Sequence, residues 1–184
     1  EAGASGFSDG DGNATLFDNP MSFFQLDENE IVIADTKNHC LRHFMRTSEN
    51  TSTFAGRCQT SGSLAGNWDE ARYGSPMHVA RDLKSPDYLI VLDIHGVYSY
   101  LHRVDLLTSY THSLGLCQAW LCTLVYFVQN PSTFDFYATS RYHDIYKWLY
   151  DDLGGFTAAI ITGGYGSAGF QEGDGNTNSA KFSS

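Results

Sequence analysis

The segment Asp9-Gly10-Asp11-Gly12-Asn13 places side-chain oxygens at alternate positions, the pattern with which a calcium loop opens. An EF-hand loop starting at Asp9 requires Gly at its sixth place and a bidentate Glu at its twelfth, but Ala14 and Pro20 stand there. Gly and Asn also supply left-handed turn conformations without any metal, so Asp9, Asp11 and Asn13 are read first as turn residues and only second as calcium ligands. The segment Glu172 to Asn176 is a weaker copy of the same pattern. His39, His43, His78, His95, His102, His112 and His143 fall in no His-x-x-x-His or carboxylate-paired helix pattern. His78 is the candidate for a channel metal, because it lies on a predicted inner strand. No Gly-x-Ser-x-Gly, phosphate loop or dinucleotide fingerprint is present. The chain is therefore expected to be non-catalytic and to carry no cofactor, a site assembled from distant loops being the remaining route to an enzyme.

Two N-glycosylation sequons, Asn13-Ala14-Thr15 and Asn50-Thr51-Ser52, accompany an even set of cysteines, Cys40, Cys58, Cys117 and Cys122. Together they point to secretion, with N-linked glycans on Asn13 and Asn50 and an extracellular or cell-surface location. Asn130-Pro131-Ser132 is no sequon, because proline blocks its middle position. Glu1 begins without Met or an apolar leader, which suggests a removed signal peptide or a start inside a longer precursor.

The elements that must position these residues follow from composition and periodicity. In 184 residues, 42% are hydrophobic, only 17% are charged and 18 are glycine, a balance that favours short strands and many turns. A formal charge of -10 with no basic cluster disfavours nucleic acid. The apolar run from Ala119 to Val128 is too short for a membrane-spanning helix, so no membrane insertion is expected.

Self-similarity decides the architecture. The matching pairs Pro20-Met21 and Pro76-Met77 set a repeat of 56 residues. The first unit, about 6–58, is expected to carry strands at 21–26, 30–34, Cys40 to Met45 and a fourth ending at Ala55-Gly56. The second, about 59–117, repeats them at His78-Val79-Ala80, Tyr88 to Leu92, Leu101 to Val104 and a strand ending at Leu114-Gly115. In the third, about 118–164, they fall at Leu124 to Gln129, Phe134 to Thr139, Asp144 to Leu149 and Phe156 to Thr162. The segment 138–145 lies on 34–41 without a gap. Residues 165–184 start a fourth repeat, because Gly169 to Asn176 echoes Gly6 to Asn13.

Four short period-two strands per repeat cannot bury both faces alone and must stack on their neighbours, as propeller blades do; a solenoid of hairpins is the rival. Gly10 to Asn13, Phe17-Asp18-Asn19-Pro20, Ile31 to Arg42 and Ser52 to Gly56 together resemble an NHL repeat. The match is full in the first unit, partial in the second around His95-Gly96 and weak in the third. The resemblance implies an all-β fold of three four-stranded propeller blades belonging to a larger, six-bladed ring or propeller-like assembly. Some NHL-like propellers are zinc lyases that amidate peptides, which is the ground for watching His78.

Cys40 opens a third strand and Cys58 follows the fourth strand of the same unit, so antiparallel pairing places them within bridging distance. Cys117 and Cys122 form either a short local bridge or two buried thiols. Phe23, Phe24, Tyr98, Tyr100, Tyr146, Trp148 and Tyr150 alternate along strands and are read mostly as packing between blades. Trp68 and Trp120 are the exposed candidates for contact with protein or sugar. The expected function is a structural or protein-interaction module that assembles with further copies of itself, or with the rest of a longer propeller, into a ring, surface layer or fibre. A ligand- or glycan-binding receptor is the alternative, and a metal-dependent lyase comes third.

Overall fold

The computed structural model describes residues 4–117, 124–140, 144–150 and 156–163. Short polar side chains folding onto their own backbone close the hairpins. Asp27 Oδ1 accepts the amides of Asn29 and Glu30 at 2.7 and 2.9 Å, and Asn130 Oδ1 accepts those of Ser132 and Thr133 at 2.8 and 3.1 Å. Between such turns lie runs rich in Ile, Val, Leu, Tyr and Phe, which favour a pleated, half-buried surface.

The result is all-β. Sheet I contains β1 (Gly10–Asp11), β2 (Pro20–Gln25), β3 (Glu30–Asp35), β4 (Cys40–Met45) and β5 (Asn50–Ala55), in the order β1-β5-β4-β3-β2. Sheet II is a meander of β6 (Pro76–Arg81), β7 (Tyr88–His95), β8 (Tyr98–Asp105) and β9 (Thr111–Cys117). Sheet III repeats that meander with β10 (Leu124–Gln129), β11 (Phe136–Ser140), β12 (Asp144–Tyr150) and β13 (Phe156–Gly163). All pairings are antiparallel.

Strand order within each repeat matches the expectation from sequence, with one addition and one shift. The addition is β1, since Gly10 and Asp11 pair with Thr51 and Asn50 at the outer edge of sheet I instead of remaining in a turn. The shift concerns the third repeat. Each sheet carries one irregularity in its first strand, at Pro20/Ser22, Pro76/His78 and Leu124/Tyr126, and one in its third, at Leu41/Arg42, Leu101/His102 and Ile145/Tyr146. These bulges set the equivalences. Ala34 pairs with Leu41, and Thr139 with Ile145, so the connection in sheet III is one residue shorter and the gapless match of 138–145 to 34–41 is corrected.

The sheets stack in chain order. Val32, Ala34, Leu41 and Ala55 of sheet I meet Val79, Leu89, Val91 and Val104 of sheet II in one core. Ile90, Leu92 and Leu101 on the other face of sheet II meet Phe127, Phe136, Ala138, Tyr146 and Trp148 of sheet III in a second. Tyr146 and Trp148 thus pack between sheets as expected from sequence.

A buried aspartate near the end of the second strand fastens each of the first two repeats. Asp35 accepts the Asp18 amide at 2.9 Å, Asn38 Nδ2 at 2.8 Å and Arg42 Nη1 at 3.0 Å. Asp93 accepts the amides of Gly74 and Ser75 at 2.9 and 2.7 Å, with the buried His102 ring 3.5 Å away. Arg42 and His102 are bulge-equivalent and both fully buried, and each lies against the aromatic ring of its own lead-in segment, Phe17 or Tyr73. Phe17 and Tyr73 are themselves one 56-residue repeat apart.

Cys40 and Cys58 form a disulfide with Cα atoms 5.0 Å apart, which binds β4 to the chain leaving β5. The equivalent of Cys40 in sheet II is Tyr100, opposite Asp93. Cys117 ends β9 opposite Ser99, and Cys122 lies outside the described residues, as do Trp120, His143 and the fourth-repeat segment 165–184. Replacing Cys40 and Cys58 together by Ala is expected to lower unfolding free energy by about 3 kcal/mol, given the 18-residue separation that the bridge closes. Urea denaturation measures it.

Candidate functional site

The residues singled out for chemistry do not converge. Asp9 Oδ1 pairs with Arg42 Nη2 at 2.6 Å, while its other oxygen accepts the amide and hydroxyl of Thr53, both at 3.2 Å. Asp11 Oδ1 accepts Nδ2 of Asn50 at 2.7 Å. Asn13 sits in a 3-10 turn, Gly12–Ala14, and is exposed. The oxygens of Asp9 and Asp11 thus serve different protein donors. Among the described residues, no group of three or more His, Cys, Asp or Glu side chains is placed to hold a metal ion. Asn13 and Asn50 lie on the chain segments that pair at the edge of sheet I.

His78 occupies the seam between first strands. Its Nδ1 is 3.0 Å from Ser22 Oγ on β2, and its ring lies 4.2 Å from Tyr126 and 4.8 Å from Phe127 on β10. Ser22, His78 and Tyr126 are equivalent positions of the three repeats, each following the first-strand bulge. Desolvation between these neighbours pushes the His78 pKa down to about 4, against a smaller opposing effect from a backbone hydrogen bond at Phe127. Partners and environment are those of a packing residue.

What the structure exposes instead is surface. Sheet II has two different faces, one packing on sheet I and one on sheet III, and the bulge equivalences identify the corresponding faces of the outer sheets. On the first kind of face, Phe23, Val79 and Phe127 are equivalent, as are Ile31, Leu89 and Phe136, and Ile33, Val91 and Ala138. Val79 and Phe127 are each 1% exposed, whereas Phe23 is 69% exposed. Met77 is 8% exposed and Met21, one repeat earlier, is 49% exposed. The free face of sheet I forms an open groove of about 430 Å³ lined by Pro20, Met21, Ser22, Phe23, Ile31 and Ile33. At the other end of the stack, Tyr126, Val128 and Leu149 on sheet III are each about half exposed. Val128 is equivalent to Phe24 and Ala80, which pack against the following sheet. Fully burying a side chain of Phe or Leu size is worth about 1.5–3 kcal/mol, so both faces carry a considerable unrealised stabilisation.

Phe23 therefore departs from the packing role read for it, and Tyr98 is also exposed. Composition and alternation mark these residues as sheet-facing but cannot show which sheet lacks a neighbour. Trp68 is half exposed, as anticipated, beside a second open groove of about 430 Å³ with Phe7, Thr53, Gly56, Arg57, Cys58 and Asp69.

No family model matches the chain, and no curated protein matches it by sequence. Solved structures do resemble it in fold. An auxiliary nutrient binding protein from Bacteroides thetaiotaomicron aligns over 98% of this chain with a TM-score of 0.50 and 14% identity, covering 50% of that protein. A second Bacteroides thetaiotaomicron structure, of unknown function, aligns over 97% of this chain and 66% of its own length with a TM-score of 0.46 and 10% identity. The chain thus spans half the length of the first and under two thirds of the second. The likeness to the first is one of fold. Among the described residues, no helix is long and apolar enough to cross a membrane.

The depressed His78 pKa makes a signed expectation. A neutral imidazole is favoured in the fold, so its contribution is fully present above pH 6.5 and is lost as pH falls toward about 4. His78→Phe is expected to lose less stability than the wild type between pH 7 and pH 4.5, as read from urea denaturation at both values.

Proposed function

We propose that the chain is a segment of an extracellular, N-glycosylated β-propeller of NHL type, and that it works as a non-catalytic structural and protein-interaction module. The observation that carries this reading is the contrast between Phe23 and its repeat equivalents Val79 and Phe127, identical in place and opposite in exposure. A side chain that two sheets bury and the third leaves in water marks a surface built to be covered by another sheet. The two internal cores supply the template for that contact. The Cys40–Cys58 disulfide supports an oxidising compartment, and the sequons at Asn13 and Asn50 support glycan attachment there.

Ligand binding, the role named for the Bacteroides thetaiotaomicron nutrient binding protein, is the second reading, and the groove beside the half-exposed Trp68 favours it. An exposed indole flanked by Arg57, Thr53 and Asp69 offers a stacking plate with hydrogen-bonding groups, the chemistry that suits a sugar ring.

The variant carrying both Phe23→Asp and Val128→Asp distinguishes the two. It is expected to keep the wild-type thermal midpoint and to associate at least tenfold more weakly in sedimentation velocity. Undiminished association overturns the interaction reading, and saturable sugar binding abolished by Trp68→Ala favours the second.

A further inference from the structure

We infer that the groove beside Trp68 binds an acidic sugar, a pyranose carrying a carboxylate, and that Arg57 selects the acid; this deepens the ligand-binding reading above and rests on it. Arg57 stands apart from the other described arginines. Arg42, Arg46, Arg72, Arg81 and Arg103 each engage a carboxylate or a backbone carbonyl of the protein. Among the described residues, Arg57 is the one arginine whose guanidinium meets no acceptor, and it is exposed at the wall of the groove. Asp and Glu outnumber Lys and Arg by 21 to 11 in this chain, yet none of the described acids takes this cation. Asp69 lines the same groove, and among the described residues its carboxylate meets no donor either. The two opposite charges thus share one groove without pairing with each other. Between them stands a free aromatic plate, since the half-exposed Trp68 indole lies against no other described ring or cation.

The backbone beneath the groove is fixed. The Gly56 amide donates to the Trp68 carbonyl at 2.7 Å and the Arg57 amide to the Ala71 carbonyl at 2.9 Å, so the segments bearing the guanidinium and the indole are tied to each other. The Cys40–Cys58 disulfide anchors the next residue to β4. Gly56 has a φ of +89°, and a Cβ there would stand 2.6 Å from the Tyr73 ring, so the chain passes this close only as glycine. The repeat itself does not call for Arg57. Ala55 lies opposite Leu41 as Gly115 lies opposite Leu101, which puts Cys117 at the equivalent place in the second repeat. A planar guanidinium fork matches a carboxylate, and an indole face suits the C–H face of a sugar ring. A carboxylate such as that of Asp69 accepts from hydroxyls. An acidic pyranose presents an anion, an apolar face and hydroxyls on separate parts of one rigid ring, the set that Arg57, Trp68 and Asp69 serve. The groove is open, so neighbouring units of a longer acidic chain run on into solvent.

Calorimetric titration of the full chain tests the acid selectivity. The probes are trimers of galacturonate, glucuronate and mannuronate, each paired with the same trisaccharide reduced at its carboxylates to the neutral sugar. At least one uronate is expected to bind about tenfold more tightly than its neutral counterpart, an advantage that shrinks as salt is raised. Arg57→Gln is expected to bring that uronate down to the affinity of the neutral sugar, and Trp68→Ala to abolish binding of both. Arg57→Lys, which keeps the charge and loses the fork, is expected to fall between wild type and Arg57→Gln, and it replaces the latter if Arg57→Gln does not keep the wild-type thermal midpoint. Equal affinity for the acidic and neutral members of every pair, or a uronate affinity that neither Arg57 variant changes, overturns the inference and leaves the sugar reading standing. No binding of any of the six sugars by the wild type overturns the sugar reading itself.

Discussion

A four-stranded sheet with apolar side chains on both faces can satisfy itself only between two others, and that constraint governs this molecule. Sheet II shows the satisfied case: Val79, Leu89, Val91 and Val104 are buried against sheet I, and Ile90, Leu92 and Leu101 against sheet III. Among the described residues, the outer sheets reuse the pattern with one neighbour each. Their free faces hold Phe23 and Met21 at one end and Val128 and Leu149 at the other, all substantially in water. The hydrophobic effect has no directional preference, so specificity in any contact with those faces would come from shape and from the polar groups set around them.

Those polar groups are arranged to hold backbone segments in place, and the faces inherit their geometry from that. Arg42 is the clearest case. Fully buried, it reaches Asp35 in its own sheet, Asp9 and the carbonyls of Ser8 and Leu16 in the lead-in segment, and its guanidinium lies 4.8 Å from the Phe7 ring. A guanidinium with this many acceptors is an expensive group to bury and is tolerable only with all of them in place. Thr36 adds a direct tie between repeats, its hydroxyl donating to the Pro76 carbonyl at 2.6 Å where β6 begins. The disulfide and the buried ion pair fix the segments that enter and leave sheet I, and the Thr36–Pro76 hydrogen bond and the shared core hold sheet I on sheet II.

Much of the fold was legible in the residues. The Pro-Met pairs one repeat apart mark equivalent first strands, and the structure places Met21 and Met77 at the same bulge. Strand order followed from short apolar runs between Asp, Asn and Gly turns, and β4 and β10 have the bounds that periodicity alone suggests. The Cys40–Cys58 pairing followed from antiparallel neighbours at one end of a sheet. Other features were not legible, for identifiable reasons. The alternation that marks Phe23 as sheet-facing is the same alternation that marks Val79, and nothing local records that only one of them has a sheet in front of it. The shorter connection before Ile145 is hidden because the flanking residues still align by type. Asp9 looks like a metal ligand in a linear motif, and only the long-range approach of Arg42 and Thr53 reveals what its oxygens do.

Met21 and Met77 report directly on whether the apolar face of sheet I becomes covered, because they are repeat equivalents that differ in exposure. Oxidative footprinting read by mass spectrometry across a dilution series compares their rates in one molecule. Met77 is expected to stay protected at every concentration, while Met21 oxidises fast in dilute solution and becomes protected as concentration rises. A Met21 rate that stays fast and unchanged from the most dilute to the most concentrated sample would contradict that expectation.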